Sequence, residues 1–392
     1  MMPAPLPLSE LVRVFGRIGL LSFGGPAAQI ALMHRELVEE RPWLTEKQFL
    51  NALSFCMLLP GPEAMQLATY AGWRLRGIRG GLIAGGLFVL PGALVVLGLA
   101  ALYVRIGDLP AVEALFLGVK AAVVVIVIDA LLKIAGRALK GPDRWAIAGL
   151  SFVAIYALAL PFPAIIAAAA AYGAATSRGT AGAAPPRARA RTARTVTIWL
   201  ALWWAPVAAL WAAGAERLVE IGLFFSKLAV VTFGGAYAVL AYMTQEVVQG
   251  RGWLTTAEMM DGLGLAETTP GPLILVTEFV GFLAGHGAGG MAAGLAAAAL
   301  TLWVTFVPCF LWIFAGAPYI EWISTRPRLA GALSAITAAV VGVILNLSLW
   351  FALNVVFAAT RRLEAGPVAL LWPVPESLDP VALGLAVLAA AL

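Results

Sequence analysis

Long apolar runs separated by short polar gaps follow one another along the whole chain. A helix needs roughly 20 apolar residues to cross the hydrocarbon core of a bilayer. The pattern therefore predicts an all-α polytopic membrane protein with about ten to twelve transmembrane or re-entrant helices. The apolar segments lie near residues 8–32, 52–73, 80–104, 113–135, 145–160, 163–175, 196–214, 218–242, 258–285, 293–315, 330–357 and 368–392.

The second half of the sequence repeats the first. One constant register, set by Phe15 on Phe225, aligns two helix-breaking motifs and one charged loop, and small shifts extend the match to the later segments. Agreement of this length indicates a duplicated unit. The matched positions are Phe23-Gly24-Gly25 with Phe233-Gly234-Gly235, Pro60-Gly61-Pro62 with Pro270-Gly271-Pro272, Glu36, Arg41 and Trp43 with Glu246, Arg251 and Trp253, Lys120 with Thr337, and Asp129 with Asn346.

The repeat predicts four parts of the chain. They are an N-terminal transporter repeat at 1–175, a basic cytoplasmic linker at 176–195, an extra connecting transmembrane helix at 196–214 and a C-terminal transporter repeat at 215–392. Seven predicted crossings separate the two Phe-Gly-Gly segments, and an odd number inverts the second copy. A re-entrant segment near Pro161-Phe162-Pro163 would instead make the repeats parallel, so both arrangements stay open.

Composition excludes a soluble globular enzyme. Of the 392 residues, 61% are hydrophobic and only 12% are charged, whereas about a quarter of an ordinary soluble protein is charged. The net charge of +5 is concentrated in interhelical segments, which indicates membrane topology rather than a nucleic-acid surface. Two distant cysteines and the lack of zinc or nucleotide motifs predict no cofactor, no metal and no ATP hydrolysis. The expected partner is the lipid bilayer, and a homodimer is compatible with such a protein.

The paired Phe-Gly-Gly and Pro-Gly-Pro motifs predict broken helices inside the membrane. Proline removes a backbone donor, and glycine permits conformations closed to other residues. Broken backbone at membrane depth is tolerated only inside the protein or along a water-filled cavity. A half-helix that begins after Pro-Gly-Pro would aim its N–H groups at that cavity and favour an anion. A lone motif would fit a packing kink, but its recurrence in both halves favours a functional break.

Several strings resemble the chromate ion transporter family. They include Ser-Phe-Gly-Gly-Pro-Ala-Ala-Gln-Ile at 22–30, His-Arg-Glu-Leu-Val-Glu-Glu-Arg-Pro-Trp-Leu at 34–44 and the runs at 55–64, 66–70 and 87–92. The resemblance covers nearly the whole chain. It implies a transporter of the bacterial inner membrane that exports chromate, with sulfate as a competitor or counter-substrate. Met65 departs from the family pattern, which has glutamine there.

Chromate is a tetrahedral dianion, so a site for it needs several hydrogen-bond donors and a positive charge. Each hydroxyl or amide near the breaks fits a substrate contact or a bond to a neighbouring helix equally well. The predicted binding or translocation residues at these breaks are Ser22, Gly24, Gly25, Gln29, Pro60, Gly61, Pro62, Gln66, Thr69, Thr232, Gly234, Gly235, Thr269, Pro270, Gly271 and Pro272.

Charged residues inside apolar segments add two candidates. Lys120 fits either an anion contact or a structural ion pair, since a charge at membrane depth should face the interior of the helix bundle. Glu63 directly follows Pro-Gly-Pro and fits either a coupling carboxylate or a residue favoured at a helix start. Two further acids, Glu267 and Glu278, lie near the second Pro-Gly-Pro. Any of these carboxylates could exchange protons or repel a bound dianion.

The repeated loop of Glu36, Arg41 and Trp43, with its copy Glu246, Arg251 and Trp253, predicts an interfacial gate or anchor. A salt-bridged loop helix is the simpler account. For the whole chain, secondary transport of chromate is the leading hypothesis, driven by the membrane potential or by exchange with sulfate or protons. A carrier of sulfate, molybdate or another oxyanion is the alternative, and a membrane-embedded redox enzyme is the rival from a different class.

Overall fold

The computed structural model describes residues 6–107, 109–177, 189–231, 233, 236–320, 326–365 and 368–391. In these ranges the chain forms fourteen α-helices and a two-stranded hairpin. The helices are α1 (Leu8–Leu21), α2 (Gly25–His34), α3 (Glu46–Cys56), α4 (Glu63–Ile106), α5 (Pro110–Ala138), α6 (Pro142–Tyr156), α7 (Phe162–Thr176), α8 (Arg189–Ala212), α9 (Glu216–Val231), α10 (Ala236–Thr244), α11 (Thr256–Thr268), α12 (Val276–Gly316), α13 (Pro327–Val356) and α14 (Pro380–Ala391), and the strands are β1 (Thr360–Ala365) and β2 (Val368–Pro373).

Five helical stretches in the described residues are long and apolar enough to cross a membrane. They are Glu63–Ile106, Pro110–Ala138, Thr192–Ala212, Leu273–Tyr319 and Pro327–Val356. Two shorter apolar helices, α7 and α14, accompany them. The protein is therefore an all-α polytopic membrane protein, apart from its small β-hairpin.

The helix-breaking motifs interrupt the predicted apolar segments as expected. The segment at 8–32 is split where α1 ends at Leu21 and α2 begins at Gly25. Gly24, with φ of 80°, and Gly25, with φ of 76°, are both left-handed at this break. The segments at 52–73 and 258–285 are split in the same way, because α3 and α11 end before the two Pro-Gly-Pro motifs. These breaks leave half-helices inside the apolar regions.

Helices α4 and α12 each fold back on themselves as helical hairpins. The turn in α4 lies at Arg76 and Gly77, and the turn in α12 lies at Gly289 and Gly290. In α4 the backbone of Gly72 packs against the backbone of Gly80 across the turn, which leaves no room for a side chain. Each first arm has roughly 14 residues and a length of about 21 Å, too short to cross a bilayer alone.

The repeats also match in local structure that the sequence pattern did not predict. A π-helical turn follows α2 at Arg35–Glu39, and another follows α10 at Gln245–Gly250. Helix α3 begins with reciprocal bonds between Thr45 and Gln48. Helix α11 begins with the same arrangement between Thr255 and Glu258. The duplicated sequence thus encodes the same helix starts twice.

The C-terminal region corrects one prediction. The apolar segment at 368–392 does not form a single helix, because 368–373 pairs with β1 as strand β2 and only Pro380–Ala391 is helical. Pro373 and Pro375 lie in the connection, where the missing donor and restricted backbone of proline oppose a continuous helix. Asp379 then caps α14 by accepting bonds from the N–H groups of Val381 and Ala382.

The chain separates into two compact units, and each contains elements from both sequence halves. The first unit comprises the described residues of Met1–Val104, Gly182–Gly235 and Leu265–Arg326. In it, α8 and α9 pack against α12. The second unit comprises the described residues of Arg105–Ala181, Ala236–Gly264 and Pro327–Leu392, where α13 packs against α5, α6 and α7. Most of the predicted linker, 178–188, lies outside the described residues, and the helix predicted from 196 begins earlier, at Arg189.

Candidate anion-binding site and relatives

In the first unit, the Phe-Gly-Gly break of one half of the sequence meets the Pro-Gly-Pro break of the other. The backbone N–H of Gly271 donates to the carbonyl oxygen of Ser22 at 2.8 Å. The side-chain amide of Gln29 donates to the carbonyl oxygen of Gly271 at 2.7 Å, and it lies 3.5 Å from the carbonyl oxygen of Ser22. Broken backbone from the two halves is therefore joined by hydrogen bonds in a buried place.

Two glycines allow this close approach. Gly271 has φ of 95°, a backbone conformation that side chains with a Cβ rarely adopt. The helix α4 contributes Gly92, and a Cβ there would overlap the carbonyl oxygen of Pro270. The Pro91-Gly92 pair of α4 therefore forms a third wall of the junction.

The first Pro-Gly-Pro motif forms a second break in the same unit. Gly61 has φ of 110°, and the side-chain amide of Gln66 donates to the carbonyl oxygen of Pro60 at 2.6 Å. A Cβ on Gly61 would lie 2.8 Å from Nε2 of Gln66 and 2.9 Å from Sγ of Cys309. The Oε1 atom of Gln66 is buried and has no hydrogen-bond partner among the described residues.

The predicted hydroxyl donors are already engaged by the backbone. Ser22 donates to the carbonyl oxygen of Ile18 at 2.6 Å, and Thr69 donates to that of Met65 at 2.9 Å. The hydroxyl of Thr269 lies 3.5 Å from the carbonyl oxygen of Ala266. An anion would meet these hydroxyl hydrogens only after side-chain rotation, and the amides of Gln29 and Gln66 and the N–H of Gly271 likewise donate to backbone carbonyls.

The other residues predicted at the breaks differ in how far they are exposed to solvent. Gly24 is exposed, whereas Pro62 and Pro272 are buried beside their glycines. The predicted residues Thr232, Gly234 and Gly235 lie outside the described residues.

Lys120 lies in the second unit, in an ion pair. Its ammonium is 2.7 Å from Oδ1 of Asp261, and the two side chains are only 17% and 9% exposed. The sequence is compatible with either an ion pair or an anion contact at Lys120, and the structure supplies the ion-pair partner. Asp261 was not predicted, although its place in the apolar segment at 258–285 was a signal, because a carboxylate there needs a partner.

Two acids differ sharply in surroundings. Glu63 is the first residue of α4, directly after Pro-Gly-Pro, and is partly exposed. Glu278 lies in the first arm of α12 with no exposed surface. Neither of its carboxylate oxygens has a hydrogen-bond partner among the described residues. Glu278 is thus a buried carboxylate whose polar atoms are left available.

The predicted gate residues form ion pairs within each unit. Arg41 donates to Glu36 at 2.5 Å, and Arg17 lies 3.5 Å from the other carboxylate oxygen of Glu36. In the equivalent loop, Arg251 lies 3.9 Å from Glu246 and its guanidinium stacks 4.9 Å from the ring centre of Trp253. Both loops contain a closed ion pair. The backbone N–H of Trp43 anchors the first loop by donating to the carbonyl oxygen of Leu37.

Comparison with known proteins shows the family. A family model described as the chromate transporter matches residues 9–174 and 219–392. A chromate transport protein of Pseudomonas aeruginosa is 35% identical over 87% of this chain and 80% of its own length. A chromate transport protein of Cupriavidus metallidurans is 32% identical over 95% of this chain and 87% of its own length. A probable chromate transport protein of Synechococcus elongatus is 31% identical over 86% of this chain and 82% of its own length.

No solved structure matches the chain. The matching family is a transporter family rather than an enzyme family. The five long apolar helices in the described residues of this chain fit a multi-pass protein of the bacterial inner membrane. The two family-model matches, which together span most of the sequence, show that this chain belongs to the chromate transporter family.

Proposed function

We propose that the protein is a secondary transporter that exports chromate. The observation that carries the proposal is the junction of Ser22, Gln29 and Gly271, where broken helices of the two halves meet in the first unit. Secondary transporters built from repeats bind substrate where such discontinuous helices meet. Opposite the charge of a dianion, the backbone N–H of Gly271 and the amide of Gln29 would supply donors, once released from their carbonyl partners, without the full positive charge that would slow release.

The interior of a bacterium is negative, so the membrane potential favours outward movement of a dianion. The gain is about 2.3 kcal/mol for each charge per 100 mV. Potential alone could therefore drive export, and exchange with sulfate or protons is the other form of coupling that we propose to test.

The inverted arrangement of the halves at 1–175 and 215–392 is part of this proposal. Inversion predicts that equivalent loops of the two halves face opposite sides of the membrane. A small reporter peptide inserted beside Trp43 and another beside Trp253, each in its own variant, would be accessible from opposite sides. Accessibility of both from the same side would contradict the inversion without touching the question of the substrate.

The function itself is tested by uptake of labelled chromate into inside-out vesicles under an imposed interior-positive potential. We expect accumulation of unreduced chromate, and we expect excess sulfate to suppress it because the two dianions share charge and shape. A Gly287→Ala variant is the matched control, since a Cβ at Gly287 meets no atom within 4 Å. If the vesicles transport sulfate or molybdate but no chromate, the protein is a carrier of that other oxyanion. Reduction of chromium would indicate a redox enzyme.

A further inference from the structure

The Lys120–Asp261 ion pair joins two helices of the second unit, α5 and α11. Its 2.7 Å separation is that of a close charge-assisted bond, and both side chains are largely withdrawn from solvent. A buried ion pair is weak evidence for stability, because removing two charges from water offsets most of their attraction. The pair therefore calls for an explanation beyond holding α5 against α11.

The helices are brought together at this point by a small residue. Gly264 lies one turn after Asp261 on α11, and a Cβ there would lie 2.6 Å from Cγ1 of Val119. Val119 is the neighbour of Lys120 on α5. The absence of a side chain at Gly264 thus places the backbone of α11 close enough for the short side chain of Asp261 to reach the ammonium.

The repeat contains the same two positions without charge. The constant register that aligns the two Pro-Gly-Pro motifs places Asn51 on Asp261, and Lys120 aligns with Thr337. The residues equivalent to Asp261 and Lys120 are therefore both neutral. Each copy of the duplicated unit thus carries one of the two charges and a neutral residue in place of the other, so the sequence that the copies share does not require the ion pair.

We infer that Asp261 is an intramolecular counter-ion that competes with the transported oxyanion for Lys120. The inference rests on the proposed function. Without an anion, the carboxylate of Asp261 neutralises the ammonium of Lys120 in the apolar helix α5. A tetrahedral dianion that reaches Lys120 takes the place of the carboxylate, since an ammonium has three donors but a second anion beside it is repelled. The return of Asp261 then helps the substrate to leave.

This competition has a kinetic signature that a structural ion pair lacks. In Asp261→Asn the lysine has no competing carboxylate, so the KM for chromate should fall severalfold and the maximal rate should also fall, because release slows. In the exchanged variant Lys120→Asp with Asp261→Lys, the ion pair can form again. The ammonium that would receive chromate now lies on α11 instead of α5, so chromate transport should be lower than in the wild type. The exposed pair of Lys133 and Asp129, 2.5 Å apart, provides the control Asp129→Asn, which should leave both parameters unchanged.

The experiment uses purified full-length protein in proteoliposomes, with initial rates measured over a range of chromate concentrations. An Asp261→Asn variant with the KM of the wild type, or an exchanged variant that transports like the wild type, would overturn the inference and leave a structural pair. If the wild type transports no chromate while it folds normally, the proposed function itself has failed. If the wild type transports chromate and Asp261→Asn has no effect, the inference fails while the proposed function stands.

A measurement on the unmodified protein avoids any dependence on the folding of variants. Carbodiimide labelling of the Asp261 carboxylate, read by mass spectrometry of its peptide, reports whether that carboxylate is released from Lys120. Chromate should accelerate this labelling, whereas labelling of the exposed Asp129 in the same sample should not change. Labelling of Asp261 that is slowed or unaffected by saturating chromate would contradict displacement.

Discussion

The side-chain amide of Gln29 donates to the backbone carbonyl of Gly271 at 2.7 Å, although 242 positions separate the two residues in the sequence. One comes from the first half of the chain and the other from the second. The bond satisfies a carbonyl freed by the break at Pro270-Gly271-Pro272. Gln29 therefore ties the two broken helices together and also places an amide donor at their junction.

Replacement of Gln29 by Ala should leave the buried carbonyl of Gly271 without this partner. We expect a loss of about 1–3 kcal/mol in the free energy of unfolding, together with reduced chromate flux. Thermal unfolding in detergent and vesicle uptake would measure the two effects. Ser348→Ala is the control: among the described residues that buried hydroxyl bonds to Ile344 of its own helix alone, so its loss should change neither quantity much.

Gly271→Ala should be more disruptive than most glycine substitutions. Its φ of 95° disfavours a Cβ, and that Cβ would lie 2.8 Å from Leu275 Cδ1 and 3.3 Å from the Cα of Gly92. We expect a destabilisation of at least about 1–2 kcal/mol from backbone strain, with loss of transport. Gly287→Ala should retain both. Normal stability and flux in Gly271→Ala would show that the left-handed turn is not required.

The two equivalent loop ion pairs should differ in strength. Glu36 is fully buried and close to Arg41, whereas Glu246 is a third exposed and 3.9 Å from Arg251. Arg41→Ala should therefore destabilise the protein more than Arg251→Ala, for which about 0–1 kcal/mol is expected. The remaining 3.5 Å contact of Arg17 limits the first loss. Equal shifts in the unfolding temperature of the two variants would contradict this order.

His34, at the end of α2 and outside the candidate spans, should make stability depend on pH. The carboxylates of Glu46 at 2.7 Å and Glu39 at 3.0 Å raise the pKa of its imidazole. Because the folded pKa exceeds the unfolded value of about 6.5, the stabilisation is present in full below that value and is lost as pH rises through the folded pKa. The difference in unfolding temperature between wild type and His34→Gln should shrink with rising pH. A constant difference would argue against these bonds.

Glu278 offers a test of proton coupling. Glu278→Gln keeps the size of the buried side chain and removes its capacity to ionise. If protons exchange for chromate through this residue, flux driven by an imposed pH gradient should be lost, while flux driven by membrane potential persists. Thr277→Val on the same turn is the control, because its hydroxyl donates only to the carbonyl oxygen of Ile274. Unchanged pH-driven flux in Glu278→Gln would exclude this route.

The sequence predicted the breaks better than it predicted their partners. Phe-Gly-Gly and Pro-Gly-Pro act locally, because proline and glycine change the backbone wherever they stand, so the helix ends beside Gly25 and Gly271 were predictable. The bond from Gln29 to Gly271 depends on how distant segments pack, and no local pattern encodes it. The role of Asp261 was missed for the same reason, since its partner Lys120 lies on a helix from the other half.

The C-terminal hairpin shows a different limit. Apolar residues at 368–373 fit a membrane helix by hydropathy alone, yet they pair with Thr360–Ala365 as a strand. Hydropathy reports burial or lipid contact but does not separate a helix from a strand in so short a run. The prolines at 373 and 375 were the available signal that the run ends there.

The two positions occupied by Lys120 and Asp261 also bear on why the halves are fused in a single chain. Lys120 belongs to the first half, and Asp261 belongs to the second. An assembly of two identical first halves would set lysine against the asparagine found at position 51, and two second halves would set aspartate against the threonine at 337. Either symmetric assembly would hold one sign of charge without the other. In a single chain the two copies can differ, so one supplies the ammonium and the other supplies the carboxylate of a single ion pair.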